Sequence, residues 1–326
     1  MKWLALTFGD DSCASTHFRV MQYMPMLRVV GIELECQPAS LLDAMTTFEG
    51  YDGILLQKKL LSWSRRRRIA RSGLPVIFDI DDATWHPLEK RHSFITSWRT
   101  NRRLVASLRL STLALPANEY LGRHLRKHVG NVEVMPMTLP LSEWRSAPPS
   151  RGPVVIGWAG APGNHFQLRT IDEALCEVKH AMPEVVIRIF SGKRPDMKAE
   201  IDFVPFQAEK QVEVLNSFSI GLLPLPDTAF NHGKSPIKAL QYMAAGIPCV
   251  AAALSGTVEM LGEHGSALFA SDTSAWTQHL LTLAGDAGLR EKMGGAGRVR
   301  FESHFTAEAA ARRLAVIFQQ TASSRS

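Results

Sequence analysis

Strand-length apolar runs alternate with helix-length amphipathic segments in two successive series along the chain, and this alternation narrows the available folds more than any other feature. In the first half the runs are Trp3–Phe8, Glu33–Cys36, Gly53–Leu56, Pro75–Ile80, Thr112–Ala114 and Val132–Met135. Helical segments such as Thr16–Val30 and Ala117–Val129 lie between them. The alternation stops at SEWRSAPPSRGP, residues 142–153, which reads as a linker. It restarts with Val154–Trp158, Val185–Phe190, Ile201–Val204, Ile220–Leu223, Cys249–Ala252 and Ala267–Phe269. Helices fit Gln167–Ala181, Glu209–Asn216, Pro236–Ala245, Thr273–Ala284 and Ala287–Glu302, and a last one fits TAEAAARRLAVIFQQ. Strands separated by helices build βαβ units and parallel sheets. The expectation is therefore an α/β protein of two doubly wound domains facing a cleft. The first spans 1–145, the second 152–305, and a C-terminal helix and tail over 306–326 pack back toward the first. Ligands of such sheets lie at the carboxyl ends of the strands.

Size and composition agree with two cores. A chain of 326 residues exceeds the usual size of one hydrophobic core. No apolar run approaches the roughly 18 residues that span a bilayer, and MKWLALTFGDD reads as a first strand rather than a signal peptide. Cys13, Cys36, Cys176 and Cys249 are scattered, which gives neither a disulfide framework nor a zinc site and points to the cytoplasm. The net charge of +6 favours anionic partners. Much of the excess is local, in Arg65, Arg66, Arg67, Arg68 and Arg71 of WSRRRRIARSG. The run is either a solvated helix face or a contact for anionic lipid headgroups or a phosphorylated acceptor. Nucleic acid ranks last, because no nucleic-acid-binding motif accompanies it.

The segment from Pro224 to Val250, PLPDTAFNHGKSPIKALQYMAAGIPCV, carries the most chemistry. Ser235 reads as an N-cap and Pro236 as the first helical residue, with Gly233 permitting close backbone approach before them. Gly246 and Pro248 stop the helix. Unpaired first-turn N–H groups and the positive helix end make an anion site, and Lys234 and Lys238 flank it with the charge a diphosphate wants.

This segment resembles the donor-binding region of the retaining glycosyltransferases of family 4, which have the GT-B fold. The branch in question carries Gly-Lys-Ser-Pro-x-Lys…Gln/Glu-Tyr-Met-Ala-x-Gly-x-Pro. Further matches are Ala14-Ser-Thr-His-Phe-Arg19, Phe78-Asp-Ile-Asp-Asp-Ala-Thr-Trp85, Pro116-Ala-Asn-Glu-Tyr-Leu121, Ile156-Gly-Trp-Ala-Gly160 and Leu289-Arg-Glu-Lys-Met-Gly294, which extend the likeness over most of the chain. The resemblance implies two Rossmann-like domains. It also implies transfer of a sugar from a UDP- or GDP-sugar to a hydroxyl acceptor, with retention and without a metal or other cofactor. The acceptor would be a glycan, a lipid-linked sugar or a small molecule. Separately from the resemblance, the Arg65–Arg71 cluster sets the expectation of a cytoplasmic protein attached peripherally to the inner face of the plasma membrane.

Implied donor-binding residues are Gly9, Gly160, Lys193, Gly233, Lys234, Ser235, Pro236, Ile237, Lys238 and Gln241. Phe203 or Phe206 would flank the base or fill the core. Asp81, Asp82 and His86 are candidates for the acceptor hydroxyl or for loop structure. Arg19 is a candidate for an acceptor phosphate or a membrane contact, or for a structural role on the following helix. Two departures stand out. Where many relatives place two glutamates eight positions apart, this chain has Gly233 and Gln241, so the sugar is not inherited from them. The loop Gly160-Ala-Pro-Gly-Asn-His165 lacks the family's arginine, leaving Lys234 or Lys193 to supply its charge. Asp79, Asp81 and Asp82 invite a magnesium reading, which ranks below acceptor orientation. No GxGxxG follows the first strand, against a nicotinamide cofactor. A sugar-nucleotide epimerase of the same fold and a non-catalytic nucleotide-sugar binder are the competing classes.

Overall fold

The computed structural model describes residues 1–10, 12–87, 93–144, 152–262 and 265–323. The chain forms two compact units: Met1–Pro140 with Ala229–Ser235 and Thr306–Ser326, and Leu141–Thr228 with Pro236–Phe305. Most of the proline-bearing interruption expected at 142–153 lies outside the described residues.

The first unit runs β1 (Lys2–Thr7), α1 (Ala14–Arg19), α2 (Met24–Val29), β2 (Glu33–Pro38), β3 (Gly53–Gln57), α3 (Trp63–Ser72), β4 (Val76–Ile80), α4 (Phe94–Leu108), β5 (Leu113–Pro116) and α5 (Glu119–Leu125). Its five strands are parallel in the order β2-β1-β3-β4-β5, with Leu4 opposite both Glu35 and Ile54. Strands β3, β4 and β5 are buried at every position, as a parallel sheet covered on both faces requires. Ser62, Ser93 and Asn118 cap α3, α4 and α5 by accepting amide hydrogen bonds from the first turn. Gly73 ends α3 in the left-handed region at φ 64°, where a side chain would be strained.

The second unit begins with β6 (Val155–Ala159), α6 (His165–Arg169), α7 (Asp172–Ala181), β7 (Val186–Ser191), β8 (Asp202–Pro205), α8 (Gln211–Asn216) and β9 (Ile220–Leu223). The short α9 (Ala229–His232) belongs to the first unit. The second unit resumes with α10 (Ile237–Ala245), β10 (Cys249–Ala252), α11 (Ser255–Leu261), β11 (Ala267–Ala270), α12 (Thr273–Gly285) and α13 (Ala287–His304). Its six parallel strands have the order β11-β10-β9-β6-β7-β8. The last helix, α14 (Ala307–Ser323), returns to the first unit. There Phe318 stacks on Trp3 with ring centres 4.7 Å apart, inside a core that includes Leu27, Leu55 and Leu115. The second core gathers Trp158, Leu175, Ile189, Leu222 and Trp276.

Three expected elements differ. The segment Thr16–Val30 is not one helix: the chain leaves helical geometry at Val20 (φ −132°) and restarts as α2, where Pro25 sits in the first turn. Proline tolerates that position because the first-turn amides lack intrahelical partners. Gln167–Ala181 breaks likewise at Ile171, and Asp172 turns its carboxylate to the amides of Lys198 and Ala199. Val132–Met135 forms only an isolated bridge to Ala114, with Pro136 following and unable to donate to a ladder.

Candidate functional site

In the first unit, polar side chains collect at the carboxyl ends of β1, β3 and β4. Gln57, the last residue of β3, is fully buried; its carbonyl accepts the Phe8 amide (2.9 Å) and its amide donates to the Ser15 carbonyl (2.9 Å). Gly9 lies against the start of α1, where an added Cβ would stand 2.8 Å from that of Cys13. Lys58 follows with φ 35°, unusual for a residue with a side chain. Its ammonium is buried between Asp81 (2.9 Å) and Asp82 (2.8 Å), and 4.8 Å from the centre of the Phe8 ring. Ser15 donates to the other Asp81 oxygen at 2.6 Å.

Burial alone would raise the Asp81 carboxyl, but Lys58 and the Ser15 hydroxyl outweigh it and hold the group below its ordinary range. Burial would likewise lower the Lys58 ammonium, but the two carboxylates hold it above its ordinary value. Asp81 is enclosed, whereas the Asp82 side chain is 24% exposed, so Asp82 offers the open carboxylate edge of this cluster.

Arg19 is corrected as a candidate for an acceptor phosphate or a membrane. It is buried, forms a bidentate ion pair with Asp79, and donates to the carbonyls of Met135 (2.6 Å) and Pro136 (3.2 Å). Its donors are spent inside the unit. Burial, which alone would lower the guanidinium, is outweighed by the Asp79 carboxylate, so the group stays charged. His86 sits apart from the Lys58 cluster, against Trp85, with ring centres 5.9 Å apart. Trp85 in turn stacks flat on His124 at 4.1 Å, and among the described residues the buried His124 Nε2 has no hydrogen-bond partner. Burial, then the charges of His128, Lys127 and His86, push the His124 imidazole down to about 4.

The glycine at 233 has a steric reason. A Cβ there would lie 2.7 Å from the Ala83 methyl and 2.8 Å from Leu121 Cδ2. The Gly233 carbonyl accepts from the Asn118 side chain (2.9 Å), and the same amide donates to Ser235 Oγ at 3.0 Å. Ser235 therefore does not cap α10, contrary to expectation. The N-cap is Pro236, with extended ψ of 97° and no side-chain bond. Asn118 does double duty, since its oxygen caps α5 at the Leu121 amide (3.0 Å). Lys234, half-buried, donates its amide to the Asn231 carbonyl (3.1 Å).

In the second unit, α10 opens at Ile237; the Ala239 amide donates to the Pro236 carbonyl (2.9 Å), so the amides of Ile237 and Lys238 are those at the open helix end. Lys238 lies with its ammonium 5.0 Å from the Trp158 ring centre, at the carboxyl end of β6. A Cβ on Gly160 would stand 2.5 Å from Trp158 and 3.0 Å from Lys238 Cε, so glycine lets the backbone come up against this pair. Beside it, His165 shares a 2.8 Å hydrogen bond with buried Ser191 at the end of β7. Burial, then Arg169 and Lys193, lower the imidazole. Lys193 itself is exposed in the loop after β7. Gln241 is buried one turn into α10, and Tyr242 is fully enclosed, donating to the Leu222 carbonyl at 3.1 Å. At the end of β8, Phe206 is 49% exposed and leans on Phe190.

The structure thus brings Gly160, Lys238 and the start of α10 to one sheet edge, where the sequence predicts a diphosphate. Lys58, Asn118 and His165 were not foreseen. Their signal was position alone: Lys58 directly follows a strand and His165 opens the helix after one. Among the described residues no group of three or more His, Cys, Asp or Glu side chains is placed to hold a metal ion. No helix among them is long and apolar enough to cross a membrane.

The family model of glycosyl transferases group 1 matches residues 153–286. No curated protein matches the chain. Among solved structures, the chain is similar to sucrose-phosphate synthase from Thermosynechococcus elongatus, with 14% identity, 99% of each chain covered and a TM-score of 0.76. It is similar to Anabaena HepE in complex with UDP-glucose, with 13% identity, 98% of this chain and 100% of that one covered, and a TM-score of 0.73. It also resembles S. aureus TarM in complex with fondaparinux, alpha-GlcNAc-glycerol and UDP, at 10% identity over 86% of this chain and 57% of that one, with a TM-score of 0.65. These likenesses establish the α/β fold with two parallel sheets as that of GT-B glycosyltransferases.

Proposed function

We propose that the protein is a glycosyltransferase that moves a sugar from a nucleotide-diphosphate donor to a hydroxyl acceptor, with retention of anomeric configuration. The observation that carries this reading is the convergence of Gly160, Lys238 and the start of α10 at the carboxyl end of β6, inside the stretch matched by the group 1 family model. A helix start with a cation beside it stabilises the charge that builds on a departing diphosphate, and such preorganised charge needs no covalent chemistry. Lys238, the first-turn amides of α10, Lys234 and Lys193 are the groups assigned to it, with Gln241 to a ribose hydroxyl and Phe206 to the base. Neighbours of this fold bound to UDP or UDP-glucose favour a uridine donor over a guanosine one. The first unit is the acceptor side of this reading, with Asp82 as the carboxylate that orients the attacking hydroxyl. No step in it calls on a metal. The acceptor class is a glycan, a lipid-linked sugar or a small hydroxyl compound, met in the cytoplasm.

The test is product NMR after incubation with UDP-glucose or GDP-mannose and a panel of glycan and small alcohol acceptors. A new glycoside whose anomeric coupling matches the donor's is expected. Interconversion of the donor sugar without any acceptor would make the protein an epimerase. Saturable donor binding with no turnover across the panel would make it a binding protein.

A further inference from the structure

Helices α3 and α4 follow β3 and β4, and both crossovers advance in the same direction along the sheet. Right-handed connections therefore place the two helices on one face. They carry five and three arginines respectively, and no acidic residue. Burial and then the charges of Arg103 and Arg102 hold the Arg66 guanidinium below its ordinary value, as neighbours on adjoining helices do. Arg65 is neutralised by Asp43 (2.5 Å), and Arg68 donates to the Leu42 carbonyl (2.8 Å). Among the described residues Arg67, Arg71, Arg99, Arg102 and Arg103 have no carboxylate within ion-pair range.

The same face exposes Trp63 (66%), Ile95 (62%) and Trp98 (53%). Arg67 lies over the Trp63 ring and Arg102 over the Trp98 ring, each with its guanidinium 5.1 Å from the ring centre. Alongside α3 runs an open groove of about 750 Å³, lined by Arg67, Arg68 and Arg71 on one side and by Phe48, Glu49 and Tyr51 on the other, so that three cations outnumber its one carboxylate. Its residues 64, 67, 68, 71 and 72 share one face of the helix. Exposed indoles paired with uncompensated guanidinia suit neither a core nor a purely aqueous face. They suit the zone of a bilayer where indole rings sit at headgroup depth and cations meet phosphate.

We propose that the α3–α4 face docks on an anionic lipid bilayer, with Trp63, Ile95 and Trp98 entering the headgroup layer and the groove along α3 taking a lipid phosphate. The docking is independent of sugar transfer and is read without a donor. The whole protein is sedimented with vesicles of phosphatidylcholine alone or mixed with phosphatidylglycerol, at low and high salt, while tryptophan emission is followed. Binding is expected only with the anionic lipid, weakening with salt and accompanied by a blue shift. Arg67→Ala with Arg71→Ala should weaken it at least about tenfold. Trp63→Ala with Trp98→Ala should abolish the blue shift. All four side chains project outward from their helices, and unchanged thermal midpoints of the variants would show that the fold is intact. Equal binding to uncharged vesicles, or variants that bind as the parent does, would overturn the proposal. So would preferential binding of an RNA oligonucleotide, or of soluble glycerol phosphate while vesicles stay unbound.

Discussion

Lys58 holds the first unit's polar cluster together, and its removal leaves two carboxylates facing each other. Lys58→Ala is expected to cost about 3 kcal/mol or more in denaturant unfolding, the usual penalty for breaking an enclosed ion pair by removing one partner. The pH window follows from the directions of shift. The Asp81 carboxyl lies below its unfolded value, so its contribution is complete above about pH 4 and is lost as pH falls further. The Lys58 ammonium lies above its unfolded value, so its contribution holds below about pH 10 and is lost as pH rises beyond. His124 adds a dependence nearer neutrality. Its folded value of about 4 is below the unfolded 6.5, so the unfolded chain gains a proton first, and stability declines as pH drops between the two. His124→Phe, which keeps a ring against Trp85, should flatten the thermal midpoint across that range. Glycine 233 makes a third case: Gly233→Glu is expected to destabilise the first unit rather than restore a sugar contact, because Ala83 and Leu121 occupy the space. Melting of the variant decides this.

At the scale of elements, the packing of α13 on α10 depends on a glycine. A Cβ at Gly294 would run into the backbone carbonyl of Gly246, the residue that ends α10 in the left-handed region at φ 71°. Gly294→Ala should cost about 1–3 kcal/mol, read by denaturant unfolding, since backbone cannot move aside as a side chain can. Which elements were legible follows from how local their cause is. Strands β3, β4, β6 and β9 announce themselves as apolar runs, because burial on both faces leaves no room for polar residues. The alternation calls for a helix between β4 and β5 without giving its bounds, which for α4 are set at the start by the Ser93 cap. Pro25 marked the break before α2, yet the apolar periodicity around it suggested one helix. At the candidate site, the glycine, the lysines and the helix start could be read from the sequence. The N-cap could not, because Ser235 is claimed by Asn118, which lies 117 residues away in sequence.

For the whole molecule, two parallel sheets of five and six strands reproduce the two series of strand and helix signals in the sequence. The GT-B likeness extends over 98–99% of the chain at 12–14% identity in the sucrose-phosphate synthase and HepE structures. A fold kept at so little identity fixes where ligands gather on a sheet and leaves their chemistry to single side chains. Donor binding at the start of α10 is therefore the property to measure. UDP-glucose is titrated by calorimetry into the parent, Lys234→Ala and Lys238→Ala, each first shown to melt normally. Saturable binding to the parent is expected, with at least about tenfold weaker binding by Lys238→Ala, as for the loss of one charge-assisted contact. Undiminished affinity in both variants, or no binding of UDP-, GDP-, ADP- or dTDP-sugars by the parent, would contradict it.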